Sequence, residues 1–276
     1  MRTTRTEPAT GELLTLHVLR RARISPNFAR VTLGGGDIAR FVPMGYDQWF
    51  RLVLPVAGGT LEAAPKKLDT LSYLRFLTVS SATRPVIRNY SVRAFRPDGP
   101  GGPELDVDVV LHGSPEDGTA GPASTWARTC EEGDPVGLLD EGTTFRLPEG
   151  VRRILLVADE TGLPALVNTL ASLPGDVVGH ALVEIPDEAD RQELGGPAGV
   201  EVTWLPRGGV GGDGRGAGAV GALARQAACA LPLPEEPAYC WAVGEQALAT
   251  GVRRHWVAGG LPKTHVTFCG YWRARH

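Results

Sequence analysis

The sequence predicts two domains: an antiparallel six-stranded β-barrel, followed by a doubly wound α/β domain with a parallel sheet. Before about residue 150, short apolar segments alternate with turn-rich segments, as in a small barrel. After that point, apolar segments of strand length alternate with helical segments, which is typical of a parallel sheet covered on both faces. We therefore predict a barrel domain over residues 1–149 and an α/β domain over residues 150–276.

The strands of the first domain are predicted from alternating apolar and polar residues. The clearest case is residues 105–111, where Leu105, Val107 and Val109 alternate with Asp106 and Asp108. Residues 55–85 are predicted to form a long, elaborated loop. The six predicted strands are residues 14–24, 29–33, 48–54, 88–95, 105–111 and 135–139.

In the second domain, strands and helices are predicted in alternation. The predicted strands are residues 154–157, 177–184, 200–205, 239–243 and 265–269, and the predicted helices are residues 163–173, 219–231 and 246–258. A glycine-rich segment, residues 208–218, interrupts this pattern. Residues 216–221 match the spelling of a dinucleotide-binding fingerprint, but no strand directly precedes them, so we do not interpret them as a pyrophosphate loop.

The composition excludes several classes of protein. A net charge of −3 argues against a general nucleic-acid binder, which needs a basic surface. Residues 1–10 are polar and no long apolar run follows, so we expect neither a signal peptide nor a membrane span. The four cysteines lack metal-ligand spacing and are expected to be reduced thiols. We expect a cytoplasmic monomer without a bound metal.

Two short segments carry most of the information about function. In the predicted strand 88–95, Arg88 and Tyr90 share one face because strand residues alternate, while Asn89 and Ser91 share the other. A guanidinium suits a pyrophosphate, and a phenol suits an aromatic ring system. The alternative to a ligand site is that this segment is an ordinary half-exposed edge strand. Residues 121–124 then precede a predicted helix, 125–130, whose free amides suit a phosphate, although an ordinary Ser-capped helix fits as well.

Six blocks in chain order resemble the siderophore-interacting proteins, a branch of the ferredoxin-reductase superfamily that reduces ferric siderophores with a flavin. Because they occur in the family's order and cover nearly the whole chain, they are far more specific together than singly. The resemblance implies a flavin-binding barrel followed by an NAD(P)H-binding domain. The blocks are residues 47–52, 88–93, 104–113, 121–127, 158–165 and 270–273.

The resemblance implies FAD as the cofactor of the first domain. Arg88 is expected to contact the pyrophosphate, Tyr90 to pack on the isoalloxazine or ribityl region, and Ser91 to hydrogen-bond near the redox nitrogen of the ring. His112 is equally consistent with a structural histidine at the end of a strand. The expected FAD-binding residues are Arg88, Asn89, Tyr90, Ser91, His112, Gly121, Ala123 and Ser124.

A nicotinamide nucleotide is expected at the turn after strand 154–157, because ligands of open α/β sheets bind at the carboxyl ends of the strands. Asp159 and Thr161 also fit a helix N-cap pair with nothing bound. By resemblance, a later strand end lies near the nicotinamide, and the terminal aromatic residues lie near the cofactor. The expected residues are Asp159, Glu160, Thr161, Glu245, Tyr271 and Trp272.

The resemblance implies an oxidoreductase that transfers electrons from NADH or NADPH through FAD to an Fe(III)-siderophore and releases Fe(II). No acid–base pair is predicted. The carboxylates of residues 185–190 repel a 2′-phosphate and slightly favour NADH, whereas Arg191 and Arg207 could offset this repulsion; ferredoxin is an alternative donor. The alternatives are a flavin reductase or another electron-transfer oxidoreductase with a different acceptor, and a flavoprotein that binds siderophore without turnover. The basic residues expected to dock an anionic ferric siderophore are Arg51, Lys66, Lys67, Arg84 and Arg273.

Overall fold

A computed structural model describes residues 5–56, 60–67, 74, 76–80, 83–208 and 219–274. The chain divides into two compact units. Arg5–Ile24 and Phe28–Thr143 form the N-terminal unit. Ser25–Asn27 and the residues from Thr144 onward form the C-terminal unit.

The N-terminal unit contains a seven-stranded sheet built from antiparallel strand pairs. The order of the strands across the sheet is β4-β3-β7-β1-β2-β6-β5. The strands are β1 Leu14–Ser25, β2 Phe28–Gly34, β3 Trp49–Leu54, β4 Val86–Ser91, β5 Ala94–Gly99, β6 Gly102–Val110 and β7 Pro135–Gly142. Helix α1, Pro122–Thr129, follows β6.

The predicted antiparallel barrel is confirmed, but its strand count is seven because the predicted strand 88–95 is two strands. β4 and β5 lie at opposite edges of the sheet. Between them, the Val92 amide donates to the carbonyl of Gln48 at 2.8 Å, and the Arg93 amide donates to the carbonyl of Asp106 at 2.9 Å. Val92 and Arg93, the two residues between β4 and β5, therefore bond to residues near opposite edges of the sheet and close it into a barrel.

The apolar residues of β6 lie in the barrel core, as the alternation predicts. Asp106 and Asp108 lie on the opposite face and are buried as well. Arg30 bonds both carboxylate oxygens of Asp108, at 2.7 and 2.8 Å. Arg96 bonds both oxygens of Asp106, at 2.6 and 2.8 Å. These bidentate pairs satisfy the buried carboxylates, which would otherwise be costly to remove from water.

The C-terminal unit contains a five-stranded parallel sheet of order β10-β9-β8-β11-β12. The first strand in the chain, β8, lies in the middle, so the strand order reverses between β8 and β11. The elements are β8 Arg153–Ala158, α2 Leu163–Ser172, β9 Val178–Ile185, β10 Gly199–Pro206, α3 Ala222–Ala230, β11 Ala238–Glu245, α4 Gln246–Ala258 and β12 Val266–Trp272.

Helices cover both faces of this sheet, so the predicted doubly wound arrangement is confirmed. On one face, Ala224 of α3 and Trp256 of α4 belong to the same buried cluster as the strand residue Ala242. On the other face α2 begins, and a Cβ at its N-cap Gly162 would lie 2.5 Å from a Val243 methyl group. Within the described residues, no helix is long and apolar enough to span a membrane. Residues 209–218 of the glycine-rich segment lie outside the described residues.

Candidate functional site

Strand β4 carries the first predicted site. Its register with β3 places Arg88 opposite Leu52 and Tyr90 opposite Phe50, so these side chains share the face that adjoins the barrel core. Arg88 is exposed, whereas Tyr90 is half-buried against the core. Burial raises the pKa of Tyr90 to about 12, so its phenol stays protonated and can donate a hydrogen bond.

A cavity of about 420 Å³ lies beside β4 and is lined by three arginines, by the predicted flavin residue Asn89 and by apolar side chains. Arg51 forms an ion pair with Glu141, with an Nε to Oε1 distance of 2.7 Å. Among the described residues, Arg84 donates only to the backbone carbonyl of Leu77, and its guanidinium lies 5.8 Å from the ring centre of Phe76. Arg88 also donates to a backbone carbonyl. Neither Arg84 nor Arg88 forms an ion pair with a described carboxylate.

The cavity brings together only some of the predicted substrate residues. Arg51 and Arg84 line it, together with the predicted flavin residue Arg88. Lys66 and Lys67 are not among its described lining residues, and Lys67 is 3.6 Å from a Glu12 carboxylate oxygen. The last predicted substrate residue, Arg273, is exposed in the C-terminal unit.

Helix α1 begins earlier than predicted because Pro122 occupies its first turn and Gly121 is its N-cap. Ala123 and Ser124 therefore lie in the first turn, not before the helix. The Ser-capped alternative is wrong, since the N-cap is Gly121 and no described side chain caps this end. The Ser124 hydroxyl instead accepts from the His112 amide at 3.2 Å and donates to the His112 carbonyl at 3.1 Å. It ties α1 to the end of β6.

The start of α1 fits a phosphate group. No described group accepts a hydrogen bond from the amides of Ala123 and Ser124, and free amides at a helix N-terminus bind anions. The His112 ring adjoins this point closely, because a Cβ at Gly121 would lie 2.9 Å from its Cε1 atom. Partial burial, with the nearby charge of Arg128, lowers the pKa of His112, so the ring is neutral near pH 7.

The turn after β8 carries the second predicted site, at the point where the strand order reverses. Asp159 is fully buried there and accepts five hydrogen bonds. Its Oδ1 accepts from the Thr161 amide at 2.8 Å, the Thr161 hydroxyl at 2.6 Å and the Gly162 amide at 3.3 Å. Its Oδ2 accepts from the Glu245 amide at 2.6 Å and the Trp272 indole at 3.3 Å.

Asp159 therefore holds the turn but is not the N-cap of α2. Gly162 is the N-cap, and within the part of the chain that the structure describes no side chain caps this helix. The neighbouring strand end is shaped to fit the carboxylate, because Gly244 has φ +126° and a Cβ there would lie 2.4 Å from the Asp159 Cγ. The N-cap alternative for Asp159 and Thr161 is wrong in this respect, although both residues do bond within the turn.

Glu245 and the end of β12 lie beside Asp159. The Glu245 carboxylate caps α4 through the amides of Ala247 and Leu248, and its other oxygen accepts from the Ala274 amide at 3.3 Å. The register of β11 and β12 shifts here, because Gly244 pairs with Gly270 and Glu245 with Trp272. Tyr271 is thus the extra residue of a β-bulge, a feature that redirects side chains at the ends of strands.

Glu160, the next predicted residue, belongs to a buried cluster that the sequence analysis missed. The Arg207 guanidinium bonds both Glu160 oxygens, at 2.7 and 2.8 Å, and Glu184 Oε1 at 2.8 Å. Burial outweighs the attraction of Arg207 and raises the pKa of Glu160 to about 7. The sequence contains one indication of this cluster, which is that Glu184 ends one predicted strand and Arg207 closely follows another.

Comparison with known proteins identifies the family. A protein-family model described as the siderophore-interacting FAD-binding domain matches residues 17–144. A second family model, described as siderophore-interacting protein, matches residues 151–275. The chain belongs to the siderophore-interacting protein family. The family resemblance predicted from the six blocks is therefore confirmed, and FAD is the cofactor that the description of the first segment names.

Three relatives illustrate the similarity. An uncharacterized Mycobacterium tuberculosis protein is 33% identical over 193 residues, which cover 70% of this chain and 64% of that protein. The NADPH-dependent ferric-chelate reductase of Escherichia coli is 27% identical over 263 residues, covering 94% of this chain and 92% of that protein. A solved siderophore utilization protein from T. fusca has a TM-score of 0.72 at 29% identity, covering 98% of this chain and 96% of that one.

Proposed function

We propose that this protein is an FAD-dependent oxidoreductase that transfers electrons from NADH or NADPH to the iron(III) of a siderophore and releases iron(II). The observation that carries the proposal is the cavity beside β4, which Arg51, Arg84 and Arg88 line. All three arginines lie in the segment, residues 17–144, that matches the siderophore-interacting FAD-binding domain. A flavin site next to a basic cavity suits electron transfer to an anionic iron chelate.

Residues 1–149 hold FAD in this proposal. Arg88 pairs with the pyrophosphate and Tyr90 packs on the flavin, while Asn89 and Ser91 supply polar contacts along the same strand. The start of α1 supplies amides to the second phosphate, and the neutral His112 ring adjoins it. When bound, FAD supplies the conversion of a two-electron hydride into single-electron transfers.

Residues 150–276 bind the nicotinamide nucleotide at the carboxyl ends of β8 and β11. This is the position where open α/β sheets bind nucleotides, because the strand order reverses there. Thr161 and the α2 start lie on one side of the reversal, and Glu245, Tyr271 and Trp272 lie on the other. Asp159 does not contact the ligand, because its two carboxylate oxygens are engaged by the turn and by the ends of β11 and β12. It holds both sides in place.

The ferric siderophore docks against the basic cavity. Arg84 has no described carboxylate partner, so its charge is available to an anionic chelate, whereas Glu141 partly neutralises Arg51. Lys66, Lys67 and Arg273 act as steering charges at longer range. No acid–base pair is needed, because hard oxygen ligands hold Fe(III) more tightly than Fe(II) and reduction alone weakens the complex.

We further propose that the protein acts as a monomer in the cytoplasm, with ferredoxin as an alternative donor. Its four cysteines are free thiols, which suits a reducing compartment.

Anaerobic stopped-flow spectroscopy of the purified yellow protein tests the proposed function. Rapid bleaching by NADH or NADPH, followed by recovery on addition of a ferric siderophore, is the expected result. Bleaching without recovery would instead indicate a flavin reductase or an oxidoreductase with another acceptor. Absence of bleaching by either nucleotide would indicate ferredoxin as the donor, or a flavoprotein that binds siderophore without turnover.

A further inference from the structure

The buried Arg207–Glu160–Glu184 cluster occupies a defined position on the parallel sheet. Glu160 lies two residues after the end of β8, Glu184 is the penultimate residue of β9, and Arg207 directly follows β10. All three lie at the carboxyl edge of the sheet, on the β9 side of the strand reversal. Glu245 and Trp272 lie on the β11 side of the same reversal.

This position corresponds to the adenosine half of a dinucleotide. A dinucleotide bound across the reversal places one nucleotide on each side of it. We assign the nicotinamide to the Glu245 and Trp272 side, as the family resemblance implies, which leaves the adenosine ribose for the β9 side. NADH and NADPH differ only by a phosphate on the 2′-oxygen of that ribose, so the cluster lies where the two donors differ.

The charges on this side disfavour a phosphate. Arg207 bonds Glu160 through both terminal nitrogens and Glu184 through one of them, so two carboxylates compensate the charge that a phosphate would need. Glu184 is fixed in this arrangement, because its oxygens also accept from the amides of Gly221 and Ala224 at 2.7 and 2.9 Å. The next described cation along this edge, Arg191, is paired with Glu188 at 2.7 Å.

We propose that the Arg207–Glu160–Glu184 cluster selects the electron donor and makes this protein prefer NADH to NADPH. The inference rests on the proposed nucleotide site. Glu160 is the deciding group, because its carboxylate both neutralises Arg207 and repels a 2′-phosphate, whereas a ribose hydroxyl can donate to a carboxylate. Glu184 is committed to helix α3 and acts as a positioning residue for Arg207.

The preference depends on pH in a defined direction. Glu160 faces Arg207, which favours its ionised form, and Asp159, which opposes it, while Glu184 acts through Arg207. As the pH rises through the pKa of Glu160, near 7, the cluster gains negative charge and the preference for NADH increases. The 2′-phosphate itself ionises at about pH 6, which also increases the preference for NADH as the pH rises. A variant without the Glu160 carboxylate separates the contribution of Glu160 from that of the phosphate.

Calorimetric binding of two adenosine fragments to the FAD-loaded protein tests the inference without turnover. The fragments are 5′-AMP and 2′,5′-ADP, which differ only by the 2′-phosphate. We expect the wild type to bind 5′-AMP at least tenfold more tightly at pH 8. Glu160→Gln retains the shape of the side chain and a hydrogen-bond acceptor for Arg207, and we expect it to reduce that ratio by at least tenfold and to flatten its rise between pH 6 and 8.

The matched control is Glu201→Gln, which removes an equal charge from the exposed side of β10, where Glu201 is 3.6 Å from His180. It should keep the wild-type ratio. Tighter binding of 2′,5′-ADP by the wild type would overturn the inference whether or not the variant folds, and so would an unchanged ratio in Glu160→Gln. Failure of both fragments to bind would overturn the nucleotide site as well. A protein that binds them selectively but does not reduce ferric siderophore would contradict only the proposed reaction.

Discussion

The carboxylate of Asp159 accepts a hydrogen bond at 3.3 Å from the indole of Trp272, a residue 113 positions later in the chain. The same carboxylate oxygen accepts from the Glu245 amide. One buried side chain thus fixes the turn after β8, the end of β11 and the end of β12 at the proposed nucleotide site. This arrangement makes Asp159 a structural centre of the site.

Asp159→Asn should destabilise the C-terminal unit. The amide replaces one acceptor oxygen by a donor, so it faces donors that the carboxylate satisfies. We expect a loss of about 3 kcal/mol in the free energy of unfolding, measured with urea. Asp176→Asn is the control, because its exposed pair with Arg152 should contribute no more than about 1 kcal/mol. Equal losses in the two variants would contradict the assigned role.

Arg88→Ala should yield mainly apoprotein. Loss of a charge-assisted contact to the pyrophosphate costs about 1.5 to 3 kcal/mol, which corresponds to roughly 10-fold to 150-fold weaker binding. The flavin content per protein, measured by absorbance after purification, checks this. Chromatography of the heat-released cofactor from the wild type should show FAD, because two separate phosphate sites are proposed, and FMN in its place would end that assignment.

Arg84→Ala should raise the KM for an anionic ferric chelate and leave the rate of flavin reduction by NADH unchanged. Its guanidinium lines the cavity without a described carboxylate partner. The double variant Lys66→Ala with Lys67→Ala should raise the KM less, because neither lysine is a described lining residue. Added salt should reduce both effects by screening. Equal KM values for wild type and Arg84→Ala at low salt would remove Arg84 from the docking site.

Glu160 should make the stability of the protein depend on pH. Its pKa is about 7 in the folded protein and 4.5 is its ordinary value, so its contribution is present below pH 4.5 and is lost as the pH rises through 7. Relative to wild type, Glu160→Gln should therefore gain unfolding free energy between pH 5 and pH 8, by up to about 3 kcal/mol. A difference between the two proteins that does not change with pH would contradict this assignment.

The sequence predicts the elements of both units well where the apolar pattern is strong. The predicted helix 246–258 coincides with α4, and the alternation of residues 105–111 identifies the core face of β6. The pattern of apolar residues could not reveal the break in the predicted strand 88–95. The break depends on hydrogen bonds from Val92 and Arg93 to residues far away in the chain. A barrel must turn its chain at such points, but local propensity does not locate them.

The candidate site was predictable in its parts but not in its contacts. Asp159, Glu245 and Trp272 each lie in a recognisable block or strand end, and the structure brings them together. The Arg207 cluster was missed because Glu160, Glu184 and Arg207 meet only through the order of three parallel strands. Periodicity assigns a residue to a strand end, but it does not determine which strand ends are neighbours.

The most direct test of the proposed reaction is a single-turnover measurement of released iron. Anaerobic protein is reduced with one equivalent of NADH and mixed with excess ferric siderophore and a chromophore specific for iron(II). Because a hydride carries two electrons and each iron(III) accepts one, we expect about two iron(II) per bound FAD, with recovery of the flavin absorbance. Iron(II) no greater than in a mixture without protein, while the flavin stays reduced, would contradict the account.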